Sequence, residues 1–442
     1  MTGSSGGELR DWRRSLGWDV PELARQLRRA AREPVAAHDG LIRMIRAWER
    51  GDHRPSERYD LLYRKLGLVP ARGDAEPEAQ SARTATQEGG NPVRRRTFVE
   101  LTGISAATAF LPPLARTRPQ TGIEPLALML TAQMTGAAPE PSQIPPGVTV
   151  LAMGVSRARK QYQACRYSEL ISQLPGLLSQ LDAACASLDG DDKLRAYALS
   201  ADAYHFAAGF LLKTGDHGLA HLATDRSMTA ALASQDPLTV GTSARIVTHT
   251  LMNTGHLRAA IAAAENHSLR LRRETGTHTP ESVSVYGSVL LRGALAAAQD
   301  DKRDTAHEML AEATGAARQV GTDANLRGTA FGPVNAALHQ VNVAVTLGDA
   351  GTAIDLARQI DLAAITVTER KASLLIDVAR ALFQWGRYEP AYTTLRVAEQ
   401  TAPQEITARA SVRALVRDLA VLAPAGIRRD AEQFASSIGA FT

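Results

Sequence analysis

The chain has 442 residues, more than one ordinary core holds, so two or three units or an extended repeat are expected. Hydrophobic residues make up 44%, which excludes a mostly disordered chain, while aromatics are only 5%. The apolar content is therefore mainly Ala and Leu, the composition of a helix former, and an all-α fold is expected. The net charge of +4 is unevenly held: residues 1–72 carry 15 Lys/Arg against 10 Asp/Glu, and the remaining 370 are close to neutral. A basic excess confined to the first segment points to a polyanionic partner for that segment. Two cysteines without a CxxC spacing, Cys165 and Cys185, and a polar, charged start lead to the expectation of a reduced, cytoplasmic chain.

Residues 1–69 divide into helices by their own signals. A short helix over 8–16 is stopped by Gly17. Asp19 is a good N-cap, Pro21 suits a first helical turn, and a second helix over 22–31 repeats Leu23 and Leu27 on one face. A third begins near Asp39, with Leu41, Ile45 and Trp48 at i, i+4 and i+7 facing the core. Ile42, Arg43, Arg46 and Ala47 are then expected to face solvent. Pro55-Ser56 opens a fourth helix, with Leu61, Leu62, Leu66 and Leu68 as its apolar side.

Trp48-Glu49-Arg50-Gly51, Arg54-Pro55-Ser56 and the ending Leu66-Gly67-Leu68 resemble the lambda-repressor-like (XRE) helix-turn-helix family, as does Pro21-Glu22-Leu23-Ala24. The resemblance covers about sixty residues. It implies that the glutamate is structural, that the glycine ends the recognition helix, and that the following Arg-Pro approaches the DNA backbone. Ile42, Arg43, Arg46, Ala47, Arg50 and Arg54 become the expected contacts to double-stranded DNA, since a guanidinium can bind guanine edges or phosphate. Two departures stand out: Val20 occupies the family's usual polar phosphate-contact position, and residues 28–38 lengthen the join between the second and third helices.

Residues 70–93 lack apolar periodicity and are rich in Pro, Gly, Glu, Gln and Thr, as in a flexible linker. Residues 94–147 read as a connector with an apolar helix over 99–114, broken afterwards by prolines. Its start, Arg95-Arg96-Thr97-Phe98, is similar to a twin-arginine export signal. It stands too far from the N-terminus, and its apolar run is shorter than the ~20 residues of a membrane span, so a docking helix is expected instead of membrane attachment.

From 148 to 442, helix-length apolar segments alternate with short turns. Lys213-Thr214-Gly215-Asp216, Asn253-Thr254-Gly255-His256, Gln299-Asp300-Asp301, Leu347-Gly348-Asp349 and Trp385-Gly386-Arg387-Tyr388 recur 38–48 residues apart. Hairpins of this period predict an α-solenoid, tetratricopeptide-like with long helices, its first hairpin turning near Cys165. The whole resembles the head-plus-repeat regulators of Gram-positive bacteria, including the actinobacterial group and the peptide-sensing quorum regulators, whose repeat body binds a signal peptide.

Counted back from the turns, positions 3, 7 and 14 earlier share one helix face and hold small or polar residues. Gly209, His249, Ala294, Asn342 and Arg380 stand at seven; Asp202, Thr242, Gly287, Asn335 and Ser373 stand at fourteen. His249, Asn253, Asn335, Asn342 and Arg380 are the expected groove for a peptide, small-molecule or protein effector, an amide offering both donor and acceptor. A merely solvated face accounts for the same residues equally well. No phosphate-loop, GxGxxG, HExxH or GxSxG motif occurs. His217 and His221, four apart, have no partner of zinc-ligand spacing, so no enzyme activity, metal or cofactor is expected. The expectation is a sequence-specific DNA-binding regulator acting as a homodimer; the alternative is a helical-repeat interaction scaffold without specific DNA binding.

Overall fold

Turn chemistry and apolar spacing divide the described residues into twenty α-helices. The computed structural model describes residues 6–30, 38–51, 55, 57–67, 123–135, 145–276 and 278–441, and among these no strand occurs.

Four helices form the N-terminal head: α1 (Gly6–Ser15), α2 (Val20–Ala30), α3 (His38–Arg50) and α4 (Glu57–Lys65). Asp19 caps α2, its Oδ1 accepting the Glu22 amide at 2.6 Å. Leu9, Leu23, Leu27, Leu41, Ile45 and Trp48 close the core as their helical spacing requires. The fourth helix buries Tyr59, Leu62 and Tyr63, rather than an all-leucine side, because two tyrosine rings pack on Trp48, with centroids 4.9 and 6.1 Å away. Leu66 is half-buried; Leu61 and Leu68 lie outside the residues whose side chains are described.

The expected linker and the apolar segment 99–114 lie outside the described residues. A helix that proline counting passes over, α5 (Ile123–Thr135), packs Leu126 and Leu130, one turn apart, into the next core. Then follow α6 (Val148–Gln163), α7 (Tyr167–Ser187), α8 (Gly190–Thr214), α9 (His217–Ala233), α10 (Pro237–Asn253), α11 (Leu257–Thr275), α12 (Pro280–Gln299) and α13 (Arg303–Val320). After them come α14 (Pro333–Leu347), α15 (Ala350–Ala357), α16 (Thr368–Gln384), α17 (Tyr388–Thr401), α18 (Pro403–Ala408), α19 (Ala410–Leu422) and α20 (Ala425–Ser437).

The five recurrent turns join α8 to α9, α10 to α11, α12 to α13, α14 to α15 and α16 to α17. Gly215 ends α8 with φ +88, a left-handed conformation that costs a glycine little, and Asp216 then caps α9 through the Leu219 amide at 3.1 Å. Asp301, in the one turn without glycine, adopts the same conformation at φ +62. In each pair the first helix packs on the first helix of the next, so α8, α10, α12, α14 and α16 form an inner row.

The stack curves until its two ends touch. Helix α6 meets α16, and α8 meets α19. A buried charge cluster latches the junction: Lys213 of α8 donates to Glu369 of α16 and to Glu405 of α18, both at 2.8 Å. Arg409 reaches Glu369 at 3.3 Å and also pairs with Glu405, whose carboxylate accepts the Tyr167 hydroxyl. Burial disfavours these carboxylates, yet Lys213 and Arg409 hold both below the ordinary range.

Candidate functional site

An ion pair to α1 adds to the core packing that holds helix α3 in place. The Glu49 carboxylate is buried and takes two bonds from Arg13 of α1, at 2.6 and 2.8 Å. Arg10 adds a bond to the Glu49 carbonyl at 2.7 Å. Such a two-point clamp fixes both the rotation and the tilt of α3, and it raises the Arg13 pKa.

The outer face of α3 is not free as its periodicity suggests. Ala47 is 1% exposed, and Ile42 packs against an apolar core that runs from the head into the C-terminal hairpins. Helix α3 touches α16, and the Arg50 guanidinium lies over Gly348, where an added Cβ would stand 2.1 Å from its Nη2. Arg43 and Arg46 are half-buried; Arg54 lies outside the described residues. A helical period tells which residues share a face, but it cannot tell that a distant element covers that face.

The effector residues expected from the repeat stripe scatter. His249 lines a cavity inside the curved stack, and Asn335 lines an adjoining one. Asn342 and Arg380 both bond Asp377, at 2.6 and 3.2 Å, and so form a local cluster. Asn253 is exposed and bonds the carbonyl of His249 at 2.9 Å. The small members of the stripe are filled positions: an added Cβ would stand 2.8 Å from the Tyr162 hydroxyl at Gly209 and 1.9 Å from Phe331 at Gly287.

What the inner row does assemble is a basic cavity of about 540 Å³, its open mouth included. Its walls include Tyr162 of α6, His205 and Phe206 of α8, Arg245 and His249 of α10, Arg292 of α12, and Glu369 and Arg370 of α16. Arg245 Nη2 bonds the His205 ring at 2.9 Å, while its Nε is fully buried with no hydrogen-bond partner. Among the described residues no carboxylate comes within ion-pair distance of Arg245 or Arg292. Glu369 is engaged by Lys213, Arg409 and Arg370, and Asp202 by Arg159 at 2.5 Å.

Burial and mutual repulsion therefore act on the same guanidinium groups. Burial, then Arg370, pushes Arg245 down to about 10; burial, then Arg370 and Arg245, pushes Arg292 down to about 9. His205 and His249 are held neutral, well below the ordinary imidazole value, by burial and the neighbouring cations. His205 and Arg245 each stand eleven residues before their turn, on the same face as positions seven and fourteen. That offset was legible, but later hairpins place Leu290, Leu338 and Ile376 there, which hides it.

Among the described residues no cluster of metal-ligating side chains occurs, and His217 and His221 are exposed at the start of α9. No helix among them is long and apolar enough to cross a membrane. No family model, no curated protein and no solved structure matches the chain.

Proposed function

We propose that the protein is a sequence-specific DNA-binding regulator, with a helix-turn-helix head in residues 6–67 and a tetratricopeptide-like body that pairs two copies and receives an effector. The observation that carries this reading is the buried Arg13–Glu49 clamp, which fixes the helix bearing Arg43, Arg46 and Arg50 in the one segment with a basic excess. A rigid, arginine-bearing helix is what major-groove reading needs.

With α3 turned toward α16 and Gly348, the face meant for DNA is partly covered. A duplex cannot occupy that face at the same time. The arrangement is then the closed form, and an effector that favours a different body conformation turns the head outward. Helix α16 supplies the connection, because it touches α3 and also lines the basic cavity through Glu369 and Arg370.

The test is selection of duplexes from a random pool by the full chain, followed by titration at several salt concentrations. A recovered consensus with a steep salt slope is expected. Arg43→Ala and Arg46→Ala should each weaken the selected site by ~1–3 kcal/mol. Light scattering on the complex should give two copies per site. Absence of a consensus leaves the repeat body as an interaction scaffold and overturns the reading.

A further inference from the structure

We infer that the cavity inside the curved stack is a receptor site for a small multivalent anion, bearing phosphate or clustered carboxylate groups, held by Arg245, Arg292 and Arg370.

Three observations carry this. First, three guanidinium groups from three different helices converge on one cavity inside the stack. Second, the charge there is uncompensated. The lining sets Arg245, Arg292 and Arg370 against Glu369 alone, and Glu369 is already engaged by Lys213, Arg409 and Arg370. Third, Arg245 Nε is a buried donor without a partner, although its neighbouring Nη2 is bonded. Arg245 and Arg292 are half-buried, and a cation drawn partly out of water is normally paired, because leaving it unpaired costs free energy. An anion satisfies all three features at once.

The chemistry narrows the ligand. Guanidinium forks match the paired oxygens of phosphate and carboxylate. Neutral His205 and His249 add hydrogen-bonding capacity without further charge. Tyr162 and Phe206 give the wall an apolar side, so the anionic groups are carried on an organic skeleton.

Anion binding itself does not depend on the function proposed above; only its effect on the head does. The experiment uses the full chain at low ionic strength. Thermal melting and calorimetry are run with pyrophosphate, with citrate, and with sodium chloride matched in ionic strength. Saturable stabilisation by pyrophosphate alone identifies phosphate recognition, and by citrate alone carboxylate recognition. Arg292→Gln and Arg245→Gln should each weaken that binding about tenfold or more, the fold-change of one lost charge-assisted bond. The ligand-free melting temperature should hold or rise in both, because each variant removes one of three repelling charges. Stabilisation no greater than with sodium chloride overturns the proposal, and so does a ligand-free melt that falls in both variants. If a variant does not fold, the wild-type titration decides. An anion that binds without changing DNA affinity leaves the site standing and removes only its link to the head through α16.

Discussion

The guanidinium of Arg50 lies over Gly348, so close that a Cβ on the glycine would stand 2.1 Å from Nη2. The two residues belong to the end of the head's third helix and to the turn after α14, so their contact is where head and body meet.

Gly348→Asn tests that contact with little backbone penalty, since Gly348 has φ +84 and asparagine visits the left-handed region more readily than other residues. The added side chain should push Arg50 away and loosen the head. Amide exchange across residues 41–48 should quicken, the body should lose no more than ~1–2 kcal/mol, and, on the function proposed above, DNA affinity should rise. Unchanged exchange together with unchanged affinity counts against a closed form.

Glu49→Ala removes the partner that two Arg13 bonds and a buried site depend on. Breaking one side of a buried pair costs ~3–5 kcal/mol, comparable to the whole stability of a small four-helix unit. The head should unfold while the body keeps its own melting transition, visible as partial loss of helical signal and as new proteolytic cuts within the first 67 residues.

Asn342→Ala and Arg380→Ala act on stability, because both side chains hold the buried Asp377. Burial pushes the Asp377 carboxyl up, and Arg380 and Asn342 counter it. Losing either partner should cost ~1–3 kcal/mol in a denaturant titration. A melt identical to wild type would show that Asp377 finds another partner.

The body should lose stability on mild acidification. Burial, with Arg245, Arg292 and Arg159 around His205 and with Arg292, Lys213, Arg245 and Arg409 around His249, keeps both rings neutral. Burial, Arg370, Arg292 and Arg245 push His339 down to about 3. In the unfolded chain such rings take up a proton near pH 6.5. Below that value the unfolded state binds more protons, so stability falls as pH falls toward the folded values, by ~1.4 kcal/mol per pH unit for each histidine. Glu369 and Glu405, held low, lose their contribution only below the ordinary carboxylate range. Melting between about pH 7.5 and 5 checks the slope. His339→Gln should flatten it by one histidine's share.

Element boundaries followed from local signals because caps and turns are local chemistry. Asp19, Gly215 and the five recurrent turns each act within a few residues, and the structure has helix ends there. Relations across the chain were not legible in the same way. No spacing in the sequence indicates that Lys213 meets Glu405, that α16 covers α3, or that Tyr162 and Phe331 fill the space beside Gly209 and Gly287. The basic cavity depends on arginines brought from α10, α12 and α16 by the curvature of the stack, and curvature is a sum of small packing angles that no single residue encodes.

The Lys213–Glu405 bond closes a span of 192 residues. An open stack is nearly one-dimensional: each repeat knows only its neighbours, and the ends fray independently. Latching an early helix to a late one converts that line into a circuit, so disorder near one end is felt at the other. Folding acquires a long-range step whose loop-closure entropy is met only when nearly all the hairpins are in place. The body is thereby made slow to assemble and reluctant to come apart piecemeal, holding its central cavity as one cooperative unit.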